Sequence, residues 1–399
     1  MHETCAPLEV LRVFLKLGLT SFGGPIAHLG YFREEFVVRR RWLDDAAYTD
    51  LVALCQFLPG PASSQVGFSI GLMRAGYAGG LAAWVGFTLP SAVALVSFAY
   101  GVAALSGPLG IGLLHGLKLV AVAIVAQAVV GMARTLCPDL ARASIAAAAA
   151  LVIFFSTASI AQIAVIVAGG LIGLGLCQDD ASVSASPLVR QIPVSRRAAI
   201  VSFAAFGLLL IALPAAQRLG AGPGVALFDA FYRSGALVFG GGHVVLPLLH
   251  DAFVTPGWVS DGTFLAGYAA AQAIPGPLFS FAAFLGAVVE PSPHGLAGAA
   301  LGLIAIFLPG MLILVGTLPF WNALRARTGA RAAMRGINAA VVGLLAAALY
   351  NPVWTSSVKN AQDLSVALVA FALLSIWRTS ALWVVMLGAA AGIAISLVG

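Results

Sequence analysis

Beyond residue 75 the chain is a succession of apolar runs separated by short polar breaks. The runs lie near 77–101, 108–133, 143–158, 159–178, 197–216, 294–318, 333–350, 362–376 and 379–397. Nearly all are roughly 17 to 25 residues, about the length a helix needs to cross a hydrocarbon core. Four more apolar segments behave differently: two precede residue 75, and two lie near 225–249 and 262–289. Glycine and proline interrupt all four. Proline lacks an amide hydrogen and clashes with the preceding turn, and glycine accepts positive φ, so every interruption predicts a broken helix.

The broken segments occur in two copies. The first holds Phe14, Lys16, Gly18, the run Phe22-Gly23-Gly24-Pro25, Trp42, and Gln56 followed by Pro59-Gly60-Pro61. The second holds Phe231, Arg233, Gly235, Phe239-Gly240-Gly241-Gly242, Trp258, and Gln272 followed by Pro275-Gly276-Pro277. The offset is 217 residues as far as the glycines and 216 from the tryptophans onward. Matching interruptions in two halves of a membrane chain point to a binding site where the repeats meet. The predicted organisation is a repeat over residues 1–178, a linker over 179–224 carrying one connecting helix near 197–216, and a second repeat over 225–399. Six segments per half with a lone segment between them predict an inverted-topology repeat.

Composition narrows the class. Hydrophobic residues make up 61% of the chain and charged residues 9%. So little charge does not cover a water-soluble surface, and an all-α polytopic membrane protein is predicted. The first residues lack the basic region and cleavage site of a secretory signal. The net charge of +6 reads as loop asymmetry rather than a nucleic-acid surface. If the four broken segments are re-entrant hairpins, sixteen of the 21 basic residues fall on the cytoplasmic side, as the positive-inside bias requires. Thirteen full crossings instead set Arg33, Arg39, Arg40 and Arg41 opposite most other arginines, so nine spans plus four hairpins is the favoured topology. Cys5, Cys55, Cys137 and Cys177 show no metal-ligand or redox spacing. No hydrolase, zincin, Walker or dinucleotide motif is present, so neither an enzyme nor a resident cofactor or metal is expected.

The chemistry expected of the interruptions is anion binding. A helix restarting at membrane depth exposes amides that lipid cannot serve, and its dipole adds about half a positive charge. A bound anion is a natural partner for such an end. Lys16 and Arg233 occupy equivalent positions, six residues before the motif phenylalanines. A charge at the bilayer centre costs about 2.5–3.5 kcal/mol, so the pair is a candidate to hold a doubly negative ligand. Gln56, Ser63, Ser64, Gln272 and Ser280 offer neutral donors beside the Pro-Gly-Pro runs, with bonding to broken backbone as their alternative role. His28 and His243 are proton-coupling candidates, with polar packing as the alternative.

These motifs resemble the chromate ion transporter family in its long, two-domain form. The resemblance rests on Phe22-Gly23-Gly24-Pro25, the Trp42 loop, Gln56 with Pro59-Gly60-Pro61, Phe239 to His243, and Gln272 with Pro275-Gly276-Pro277. It implies a secondary transporter of the bacterial inner membrane that exports chromate and confers chromate resistance, with sulfate as the similar competing dianion. Moving a dianion out of an inside-negative cell is downhill by about 4.6 kcal/mol per 100 mV, which favours export without ATP. A sulfate importer and an anion channel stay open as alternatives. The expected partners are the dianion, the bilayer and a second copy in a homodimer; nucleic acid is not among them.

Overall fold

The computed structural model describes residues 7–104, 107–156, 160–178, 194–240, 242–290, 292–325 and 327–398. It is helical throughout the described residues, without strands. The first copy contributes α1 (Pro7–Thr20), α2 (Gly24–Arg33), α3 (Asp45–Phe57), α4 (Ala62–Ala104), α5 (Gly107–Leu136), α6 (Leu140–Phe155) and α7 (Ile160–Leu176). The connecting helix is α8 (Arg196–Arg218). The second copy contributes α9 (Pro223–Ala236), α10 (Val245–Phe253), α11 (Asp261–Ala273), α12 (Phe281–Val288) and α13 (Gly295–Thr317). It continues through α14 (Trp321–Arg325), α15 (Thr328–Ala348), α16 (Thr355–Ser357), α17 (Ala361–Ser375) and α18 (Ala381–Val398).

Among the described residues five stretches are long and apolar enough to cross a membrane: Ala62–Gly101, Leu109–Leu136, Arg196–Arg218, Gly295–Leu324 and Thr328–Ser357. The predicted runs near 143–158, 159–178, 362–376 and 379–397 fall on shorter apolar helices. The molecule is therefore a multi-pass helical membrane protein. The polar linker lies largely outside the described residues, as does Gly241.

The interrupted segments do break. α3 and α11 start at matching N-caps: the Asp44 carboxylate accepts from the Ala47 amide at 2.7 Å, and the Ser260 hydroxyl from the Thr263 amide at 3.2 Å. Each is 13 residues long, about 20 Å at 1.5 Å per residue, and so shorter than the roughly 30 Å hydrocarbon core. Both stop at Pro-Gly-Pro, where Gly60 has φ +116 and Gly276 φ +109. No side chain adopts that backbone cheaply. α4 breaks at Gly76, with φ 62 and ψ −158, and its first arm folds back on the second. A Cβ on Gly71 would lie 2.3 Å from the Gly79 carbonyl oxygen. In the second copy the same approach joins Gly286 to Gly298 at 2.1 Å.

Contacts made by one copy are returned by the other. The Gly60 amide donates to the Val238 carbonyl at 2.8 Å, and the Gly276 amide to the Ser21 carbonyl at 3.0 Å. Ser21 and Val238 are 217 residues apart, and Gly60 and Gly276 are 216 apart, so the two bonds join equivalent atoms in opposite senses. Pro25 and Gly242, also equivalent, meet near the middle: a Cβ on Gly242 would lie 3.4 Å from Pro25 Cγ. Further out, α5 packs on α17 and α18, while α15 packs on α6 and α7. Both packings rest on small residues that let backbones touch. Gly112 and Gly116 meet Gly392 and Gly388, and Gly336 meets Gly169 and Gly173. A Cβ on Gly336 would lie 2.0 Å from the Gly169 oxygen, and one on Gly116 would lie 2.1 Å from that of Gly388.

Gly336→Ala and Gly116→Ala must therefore push helices of opposite copies apart, at a cost of about 1–3 kcal/mol each. Both are expected to lower the thermal midpoint of the purified protein in detergent. Gly207→Ala on α8, where nothing lies within 4 Å, should leave it unchanged or raise it slightly. Gly276→Ala carries strain at φ +109 and meets Ser91 Oγ at 2.8 Å. It is expected to reduce the thermal midpoint as well, and an unaltered midpoint would count against a structural role for the Gly276 turn.

Candidate functional site

A cavity of 1020 Å³ opens among the broken segments. Gly23, Gly24 and Pro25 line it from the first glycine motif, with Gln56 and Gly60 from the first Pro-Gly-Pro region. Gly240, His243 and Gln272 line it from the second copy. Sequence-predicted residues from both copies thus share one space. The rest of the wall comes from elsewhere: Gln127 and Thr135 on α5, Asn338 on α15, and Ser375, Arg378, Thr379 and Ser380 where α17 turns into α18.

The lining is mostly uncharged. His243 Nδ1 lies 3.0 Å from the Tyr268 hydroxyl and 3.3 Å from Gln272 Nε2. An amide nitrogen only donates, so Nδ1 accepts and the neutral ring carries its proton on Nε2. Asn338 Oδ1 and Ser375 Oγ are buried without a hydrogen-bond partner. Buried polar atoms normally have one, so these two are available to something inside the cavity. Among the described lining residues Arg378 carries the one full charge.

Several residues singled out from sequence hold the breaks rather than face the cavity. His28 is buried, donates from Nε2 to the Ser21 carbonyl at 3.2 Å, and its Nδ1 is 3.4 Å from Ser63 Oγ. The Ser21 oxygen consequently serves both His28 and Gly276, using its two lone pairs. Gln65 Nε2 donates to the carbonyls of Pro59 and Gly310, both at 2.9 Å. Ser280 Oγ, after the second Pro-Gly-Pro, is 2.6 Å from Ser91 Oγ, and Ser64 is buried after the first. Gln65 and Ser91 tie the Pro-Gly-Pro turns to the long helices α13 and α4, beside Pro309 and Pro90. Phe22, Pro59, Pro61, Phe239, Gly242, Pro275, Gly276 and Pro277 shape the breaks and are not among the lining residues.

Lys16 and Arg233 are not brought together at the cavity. Lys16 is exposed on α1. Arg233 is 47% exposed and pairs at 2.6 Å with the fully buried Asp229 four residues earlier on α9. A residue at i−4 shares its helix face, so the guanidinium is neutralised where it stands. Asp229 also accepts from Gln217 Nε2 at 2.7 Å. Sequence reading passed over Asp229, although its spacing from Arg233 was visible. Nothing local in Trp377-Arg378-Thr379-Ser380 tells that this turn reaches the cavity wall.

The Arg39–Trp42 cluster is a separate assembly. Glu35 accepts from Arg40 Nε at 2.6 Å and from Arg39 at 3.2 Å. The guanidinium carbons of Arg40 and Arg74 sit 5.4 Å and 4.9 Å from the Trp42 ring centroid, within cation–π range. Arg33 and Asp45 pair at 2.6 Å across the same loop.

Comparison with known proteins agrees with this architecture. The chromate transporter family matches residues 8–174 and 225–393. The chromate transport protein of Pseudomonas aeruginosa is 29% identical over 350 residues, which covers 85% of this chain and 79% of that protein. A probable chromate transport protein of Synechococcus elongatus is 27% identical over 95% of this chain and 92% of its own length. The chromate transport protein of Cupriavidus metallidurans is 27% identical over 86% of this chain and 81% of its own. No solved structure matches the chain. With both halves of its sequence matched and the interrupted helices gathered on one cavity, the chain belongs to the chromate transporter family.

Proposed function

We propose that this protein is a secondary transporter that exports chromate, a tetrahedral dianion, across the bacterial inner membrane and so confers chromate resistance. The observation that carries the reading is the single cavity lined by the glycine motifs and glutamines of both copies. Its donors are mainly amides and hydroxyls, which hold an oxyanion by hydrogen bonds. Membership of a family whose relatives are named chromate transport proteins supplies the substrate class. Outward movement follows the membrane potential, at about 2.3 kcal/mol per charge per 100 mV.

In this reading the two copies are inverted repeats related by a pseudo-two-fold axis near Pro25 and Gly242, and rock against one another to alternate access. The four broken segments form re-entrant hairpins, α1 with α2, α3 with the first arm of α4, α9 with α10 and α11 with α12, the first two entering from the cytoplasm and the second two from the opposite face. The reciprocal bonds of Gly60 and Gly276 support that relation, and the short helix lengths support the hairpins. Gln56, Gln272 and the amides of the glycine motifs hold the anion. His243, in contact with Gln272 at the cavity, is the better placed of the two histidines for proton coupling, since His28 is spent on Ser21.

Reconstituted liposomes test the transport reading. Chromate flux is measured with voltage and pH gradient imposed separately. Voltage-driven flux at carrier rates is expected. Sulfate uptake without chromate movement, or steady conduction in a planar bilayer, would replace the reading with an importer or a channel. Topology is tested by single cysteines at Arg41 and Asp251, labelled with an impermeant reagent from each side. Labelling from opposite faces is expected, and labelling from one face removes the hairpins.

A further inference from the structure

The duplicated cations do not reach the cavity, yet a dianion held only by neutral donors would leave a large desolvation cost unmet. One charge does stand in the wall. We infer that Arg378, on the turn between α17 and α18, is the residue that recognises the oxyanion's charge, and that the second copy alone supplies it. The inference rests on the oxyanion reading above and names the contact at its site.

Three observations converge on this turn. Arg378 lines the cavity, and no carboxylate pairs with it among the described residues. Arg33, Arg39, Arg40, Arg142 and Arg233 each have a carboxylate within 3.2 Å. Exposed arginines such as Arg12 and Arg41 pair with none among the described residues, but of these exposed cations only Arg378 lines the cavity. An arginine without a counter-ion at a cavity wall is suited to bidentate capture of an oxyanion. Next, the backbone of Arg378 is left-handed, with φ +53. The Thr379 amide donates past the end of α17 to the Leu373 carbonyl at 2.9 Å, and a left-handed backbone is uncommon outside glycine. Local stability therefore favours glycine at 378, and a long charged side chain is kept there against that preference. Strain of this kind accumulates at functional sites.

The surroundings complete an anion seat. Ser375, Thr379 and Ser380 line the cavity on the same turn, and the Ser375 hydroxyl has no partner. Ser380 precedes α18, an 18-residue helix whose first amides have no carbonyl within the helix to serve them. Its N-terminal dipole adds partial positive charge beside the guanidinium. The corresponding stretch of the first copy, Ser156 to Ser159, contains no basic residue. A pseudo-symmetric cavity thus receives its charge from one side, which lets the anion stay with one half while the other moves.

The test is equilibrium dialysis of the purified full-length protein against radiolabelled chromate and radiolabelled sulfate, with thermal midpoints recorded alongside. Arg378→Gln and Arg378→Gly are each expected to weaken binding about tenfold to a hundredfold, the range for losing a charge-assisted bidentate contact. Arg378→Lys keeps the charge without the fork and should fall between them and the unaltered protein. Arg378→Gly removes the strain as well, so its thermal midpoint should match or exceed that of the unaltered protein while its affinity drops. That split separates recognition from a structural role. Arg218→Gln, an exposed charge at the end of α8, should bind normally. Unaltered affinity in Arg378→Gly overturns this inference and leaves the transport reading standing. Failure of the unaltered protein to bind either anion overturns the oxyanion reading itself, and this inference with it.

Discussion

The fold depends on what happens to backbone groups freed by glycine and proline at a depth where water is scarce. Each such group left alone costs on the order of several kcal/mol in hydrocarbon. Here the Pro-Gly-Pro amide of each copy is spent on the unwound carbonyl of the other, Gly60 on Val238 and Gly276 on Ser21. In neither copy is that glycine amide satisfied within its own half. The copies must therefore associate before either set of interrupted helices is tolerable. The surrounding side chains reinforce the exchange: His28 adds a second bond to Ser21, and Gln65 crosses to Gly310.

That arrangement also explains why the cavity sits where it does. Two pairs of helices that stop short leave a space between their ends, and the long helices α5 and α15 close its sides. Because most freed amides at the Pro-Gly-Pro turns are already paired with backbone, the space is not ringed by bare helix ends. Among the described lining residues its polarity comes from amide side chains, an imidazole and hydroxyls, with one guanidinium on one wall. A weak field with one strong contact fits a carrier, which must release what it binds. The outer packing follows the same reciprocal logic. Glycine-to-glycine contacts between α5 and α18, and between α7 and α15, replace the hydrophobic drive that lipid removes.

Much of this was legible in the residues. The apolar runs predicted the long helices, and the duplicated Gly-Pro motifs predicted where helices stop, because proline and glycine act within a turn of their own position. The same motifs named Gly23, Gly24, Gln56, Gly60, Gly240, His243 and Gln272, all of which reach the cavity. Charge was the harder signal. Lys16 and Arg233 stood out because they are twinned, but equivalence in sequence says only that two residues occupy similar helix faces. Arg233 faces Asp229 and Lys16 faces outward.

The sequence by itself determined the class of molecule, the duplication and the points of interruption, since hydropathy, repeat offset and helix breaking are all local or self-referential properties. Only the tertiary structure decided which freed backbone groups pair with which, and which charge meets the cavity. Those choices depend on contacts between residues more than 200 positions apart, such as Gly276 with Ser21, or on a distant turn such as that of Arg378 lining the same cavity as the first glycine motif. No local pattern encodes such a meeting; it exists only once the two copies have interleaved.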